Sequence, residues 1–280
     1  MIENVTYNGV PDCARLSNGT VELVVATGFG PRILAYAFDG GQNVLGWHPA
    51  AKVETPLGTW RPYGGHRLWL APENMPLSYA PDNGPVDVDQ DGELTVRLKG
   101  SVDASGVQKE MSITLSETGS AVAIDHRLTV SEACVAAAWA LTIMHPGGIV
   151  VIPNEPSEPY GPSTLLPARS MSLWPYTDLT DPRWSFEKHV IGLRVDESMP
   201  DPQKVGVLNK QGWAGYELND LVFTKRSEFI DAATYPDMNC NFEVYTAGGF
   251  VEIETLSPLR ELAPGHTIEH REMWSLEMLS

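Results

Sequence analysis

The chain of 280 residues is 42% hydrophobic and 20% charged, an ordinary balance for a folded protein and enough for one large core. Its 36 acidic against 19 basic side chains give a formal charge of −17, which repels phosphate backbones and anionic membrane surfaces and argues against nucleic acid and membranes as partners. Cys13, Cys134 and Cys240 are far apart and lack metal-type spacing, so neither a disulfide framework nor a cysteine metal site is expected.

The first residues, MIENVTYNGVPD, contain no basic region followed by an apolar segment, and a cytoplasmic location is the expectation. From Tyr63 to Glu73 the stretch YGGHRLWLAPE crowds two glycines, a histidine, an arginine, a tryptophan and a glutamate into one loop. Gly64 and Gly65 let such a segment pass close to other backbone. Trp69 offers an apolar face, His66 and Arg67 offer donors, and Glu73 is placed to orient Arg67. The alternative is a packing role, with Leu68 and Trp69 plugging the core and Arg67 in a structural ion pair.

Beyond this loop the dominant period is two. Leu94, Val96 and Leu98 alternate with polar residues, as do Met111, Ile113 and Leu115, and then Val122, Ile124, Leu128 and Val130. The connections DASG and ETGS are short, so these three segments read as an antiparallel meander. His126 shares the apolar parity and reads as a core residue. The run ACVAAAWALTIM, Ala133 to Met144, is 12 residues long, against the roughly 20 that span a bilayer. It ends on His145, which Pro146 biases to an extended backbone and the following glycine pair leaves at a strand mouth, a place where a ligand can be met.

Between Ile152 and Asp201 the alternation fades and prolines recur; fifty residues are too many for an idle connection, so this segment is expected to cover a sheet face and to contribute to function. Arg183 within it, and Lys225 after it, read as further donors or as surface charges. NFEVYTAGGFVEIETL then reads as a hairpin, with Asp237 and Glu243 just ahead of Glu252 and Glu254. Val251 and Ile253 share one face and the two glutamates the other; Glu252 reads as a solvated edge charge, whereas Glu254 lies near a strand end where sites are assembled. His266 and His270 in the last strand stand roughly 13 Å apart, too far to share one ion. Helical periodicity is scarce and no repeat is evident, so the class is mainly β, in a single domain spanning 1–280.

The segments GPRILAYAFDGGQNVLG, GGHRLWLAPE, WALTIMHPGG, GWAGYELNDLVFTK, YPDMNCNFEVYT and VEIETLSPLRELAPGHTIEHREMWSL together resemble proteins of the galactose mutarotase-like superfamily, aldose 1-epimerase-like, from about Val21 to Leu276. The resemblance implies a large antiparallel β-supersandwich whose concave face holds a sugar site, with a small-molecule carbohydrate as partner; no cofactor or metal is expected, since no dense ligand motif is present. ETLSPLRELAPG is similar to the segment carrying the catalytic base, which maps onto Glu254; TIMHPGG is similar to the segment carrying the catalytic histidine, which maps onto His145. Sugar-binding roles then fall to His66, Arg67, Trp69, Glu73, Arg183, Lys225, Glu243 and Asp237, the last standing in for an aspartate over the ring hydroxyls. A lyase or isomerase on the same fold, or a carbohydrate-binding protein without catalysis, remain alternatives because fold alone does not fix reaction type.

Overall fold

A computed structural model describes residues 2–279 and is built almost wholly of antiparallel strands. The alternating segments form the strands they predict. Thr95–Lys99, Val107–Leu115 and Val122–Val130 pair in sequence, with Met111 opposite both Leu98 and His126. They continue through Thr267–Met278 to Leu221–Arg226 and Trp213–Leu218 in a ten-stranded sheet. The other sheet has eleven strands, and its middle runs, side by side, through His66–Ala71, Cys134–Met144, Phe250–Leu256, Phe242–Ala247 and Gln203–Val207. The inward faces of the two sheets share one apolar cluster that includes Leu98, Ile113, Ile124, Leu68, Ala138, Val244, Ile253 and Phe223.

The long apolar run Cys134–Met144 is flanked by a strand on each side and covered on each face, which is why it lacks the alternation of its neighbours. The glycine pair ahead of His66 behaves as its composition requires. Gly65 has φ +67°, and a Cβ there would stand 1.9 Å from the carbonyl oxygen of Ile33; a Cβ on Gly64 would stand 2.2 Å from that of Gly46. The pair therefore threads between two backbones to start the strand His66–Ala71.

The segment from Ile152 to Asp201 holds only short strands, among them Met171–Leu173, Trp184–Phe186 and Val190–Arg194. Met171–Leu173 forms an edge of the eleven-stranded sheet, while Val190–Arg194 and Trp184–Phe186 end the ten-stranded one. Among the described residues no helix is long and apolar enough to cross a membrane. The single helical turn, Pro236–Asn239, carries positive φ at Asp237, Met238 and Asn239, and so winds left-handed.

Candidate functional site

The outer face of the eleven-stranded sheet carries a cleft of about 590 Å³. Strand pairing fixes its floor. Leu141 lies opposite both Arg67 and Glu254, Trp139 lies opposite Trp69, Glu252 lies opposite Tyr245, and Tyr245 lies opposite Lys204. Directly paired residues project to the same side, so these side chains form one surface. Trp60 and Tyr79 close one end, while Trp174 and Tyr176, from the proline-rich segment, close the other. That segment thus contributes two aromatic walls.

The cations of the cleft are held on aromatic faces and by carboxylates. Arg67 lies 4.6 Å from the ring centre of Trp69 and 5.3 Å from that of Trp60, and it donates to Glu252. Lys204 lies 4.7 Å from the rings of both Trp139 and Trp174, donates to Glu254 Oε2 at 2.9 Å and approaches Glu243 at 2.8 Å. Trp139 Nε1 also donates to Glu254 Oε2, at 2.8 Å, so one oxygen of Glu254 is fixed by two donors. Its Oε1 is buried with no partner, whereas Glu243 meets the Lys204 ammonium and joins Asp237 by a side-chain hydrogen bond.

Electrostatically, Lys204 is crowded by carboxyl groups. Burial opposes its charge, but Glu254 and Glu243 outweigh burial and raise its pKa well above the usual lysine value. Burial pushes Glu243 well up, with Glu254 and Asp237 adding to the shift and Lys204 opposing it. Asp237, half-buried beside Glu243, is also raised by burial. Glu252 is raised by burial against the pull of Arg67. Burial thus makes Glu243 and Asp237 hold their protons to higher pH than isolated carboxyl groups do, and a side-chain hydrogen bond joins the two.

The structure brings Glu254, Arg67, Trp69 and Glu73 to the cleft, with Glu243 on the same face beneath Lys204 but outside the lining, and Asp237 beside Glu243. Six expectations need correction. His145 is outside the cleft lining: it follows the strand end four residues beyond Leu141, roughly 13 Å along at 3.3 Å per residue, with Nδ1 on the carbonyl of Pro146 and His48 as neighbour. His66 is fully buried between the sheets, because alternation sends it to the side opposite Arg67. Lys225 is fully buried there too, bonded to Glu272 (2.9 Å), Thr142 Oγ1 (2.9 Å) and the carbonyl of Ala140 (3.0 Å). Arg183 binds Asp181 and the carbonyls of Met199 and Asp201, so it braces the segment that carries Trp174 and Tyr176 and does not touch the cleft. Glu252 is no solvated edge charge; its strand is internal and it is 5% exposed. Glu73 accepts from the hydroxyl of Tyr79, and it is Glu252 that holds Arg67.

Behind the floor, the inward-facing polar groups form a second assembly. His126 Nδ1 meets the carbonyl of His270 at 3.0 Å and therefore carries the proton; its Nε2 then accepts from His66 Nε2 at 2.7 Å, and His66 Nδ1 accepts from the Thr142 hydroxyl at 2.9 Å. Glu272 takes Lys225, Trp274 Nε1 and the Thr255 hydroxyl. His66, His126 and Glu272 place ligand-type atoms within 4.8 Å of one another. The hydrogen bonds already satisfy both imidazoles in their neutral forms, and the Lys225 ammonium stands beside the carboxylate. Burial lowers all three histidines, His270 to about 3.

Sequence reasoning missed Lys204, Trp139, Trp60, Trp174, Tyr176, Tyr79 and Tyr245 as cleft residues. A lysine within QKVGV, a strand otherwise of buried residues, was the available signal for the first.

No protein-family model and no curated protein matches the chain. Solved structures do match its fold. A galactose mutarotase-like protein from Lactobacillus casei aligns with TM-score 0.57 and 9% identity over 95% of this chain and 100% of that one. One from Clostridium acetobutylicum aligns with TM-score 0.53 and 12% identity over 95% of each chain. A candidate aldose 1-epimerase from Escherichia coli K12 aligns with TM-score 0.56 and 12% identity over 95% and 98%. The protein is thus a two-sheet antiparallel β-supersandwich with an aromatic, carboxylate-floored cleft. Its fold is the galactose mutarotase-like fold.

Proposed function

We propose that the cleft binds a carbohydrate and that the chain acts on the anomeric centre of a free sugar, as an aldose 1-epimerase-like enzyme. The observation that carries this reading is Glu254, at the floor of an aromatic-walled cleft, with one oxygen fixed by Trp139 and Lys204 and the other free of protein partners. Sugar rings stack on indole faces, and the cleft offers Trp60, Trp69, Trp139 and Trp174. Glu254 is the base. It takes the proton of the anomeric hydroxyl, the C1 carbonyl forms as the bond to the ring oxygen breaks, and the departing C5 oxygen takes a proton from the Lys204 ammonium. An alkoxide is a far stronger base than an amine, so a lysine of raised pKa still yields that proton. Rotation about C1–C2 and the reverse transfers close the other anomer. Lys204 thereby takes the acid role that the sequence had suggested for His145.

The test is polarimetry of freshly dissolved α-aldoses. The wild-type protein accelerates the decay of rotation, and Glu254→Gln loses about 10² to 10⁴ of that acceleration while still binding sugar. Absence of acceleration across a panel of common hexoses and pentoses refutes the enzymatic reading. A second reading, a sugar-binding protein without turnover, draws support from the burial of Glu254 Oε1 away from solvent; it gives saturable heat on titration with an unchanged rotation decay. Lyase chemistry has less support, because Arg67, the cation it needs against a sugar carboxylate, is already neutralised by Glu252.

A further inference from the structure

We propose that the ligand is an aldose carrying a protonated amino group, which the cleft prefers over its hydroxyl, N-acetyl, phosphorylated and carboxylated counterparts. This rests on the carbohydrate reading above and narrows its substrate class. The first ground is a count of charge. Glu73, Glu252 and Glu254 line the cleft, while Arg67 and Lys204 are the cations among its lining residues. Both cations are engaged: Arg67 by Glu252 and two indoles, Lys204 by Glu243, Glu254 and two more. Neither is left to receive a phosphate or a carboxylate, and the surrounding carboxyl groups repel both.

The second ground is independent of the count. Glu254 lines the cleft and is 0% exposed, yet its Oε1 has no hydrogen-bond donor; Glu243, 1% exposed beside it, already meets Lys204 Nζ at 2.8 Å. Buried carboxylate oxygens are costly without donors. The two residues pair directly across neighbouring strands, so their heads converge on one spot that Lys204 reaches from a third strand. An ammonium brings three N–H donors and a positive charge to that spot. A hydroxyl brings one donor and exposes its own lone pairs to the carboxylates.

The experiment is calorimetric titration of the full chain at neutral pH and low salt with glucosamine, galactosamine, glucose, galactose, N-acetylglucosamine, glucuronate and glucose 6-phosphate. A free 2-amino sugar binds at least tenfold tighter than its hydroxyl and N-acetyl counterparts, and that ratio falls towards one in Glu254→Gln. Equal affinity for the amino and neutral sugars, or tighter binding of an anionic sugar, overturns the inference and leaves the carbohydrate reading standing. No binding by any member of the panel overturns both.

Discussion

Glu243→Gln tests the electrostatics of the cleft floor without requiring a ligand. Burial, with Glu254 and Asp237 nearby, raises the Glu243 carboxyl well above its unfolded value against the pull of Lys204. A carboxyl raised in the folded chain contributes stability that is fully present below its unfolded pKa and is lost as pH rises towards its folded pKa. Each pH unit over which it stays protonated when folded and ionised when unfolded costs about 1.4 kcal/mol. Glutamine is neutral throughout and nearly the same shape. As pH rises above the ordinary carboxyl range the wild-type chain therefore loses stability relative to the variant. Urea denaturation of both proteins at half-unit steps of pH measures the difference, and the raised carboxyls of Asp237 and Glu252 cancel to first order because both chains have them. Parallel pH profiles, or a wild type that gains on the variant as pH rises, would refute the shared-proton description of the floor.

Other outcomes follow from the same geometry. Gly65→Ala meets both a positive φ and the Ile33 carbonyl and should cost about 3 kcal/mol or more, whereas Gly19→Ala, with φ +81° and open space, should cost about 1 kcal/mol; thermal unfolding separates them. Arg183→Ala removes four side-chain hydrogen bonds and should cost about 3 kcal/mol, with new proteolytic cleavage between residues 174 and 202 and about tenfold weaker sugar binding as Trp174 and Tyr176 loosen. His145→Ala should leave rotation kinetics within about threefold of wild type; a loss on the scale of general acid catalysis, about 10²-fold or more, would return the acid role to it.

The alternating strands were legible because each has one face on the core and one towards water, and period two records that asymmetry. Strand Phe250–Leu256 shows where this reasoning runs out. Its alternation separates Val251 and Ile253 from Glu252 and Glu254 correctly, yet the charged face meets aromatic walls brought from residues 51–79 and 171–202, which no local pattern announces. His66 and Arg67 were both read as donors to a ligand, whereas strand geometry permits only one of two neighbours to look into the cleft. Lys225 read as a surface charge or a loose donor because lysine is so seldom buried; its four partners come from three distant segments. Arg183 was hidden in the same way, by carbonyls that reach it only after the proline-rich segment folds back.

The centre of the eleven-stranded sheet is polar on both sides, with Arg67 and Glu254 outward and His66, Thr142 and Thr255 inward. Most sheets tolerate drift because one surface carries no chemistry; this one works as a partition between two charged compartments. Deleting a single residue from His66–Ala71 would carry imidazole and guanidinium through the partition in opposite directions, dismantling both compartments at once. A one-residue length change here therefore disturbs both compartments, whereas a replacement in place disturbs only one side.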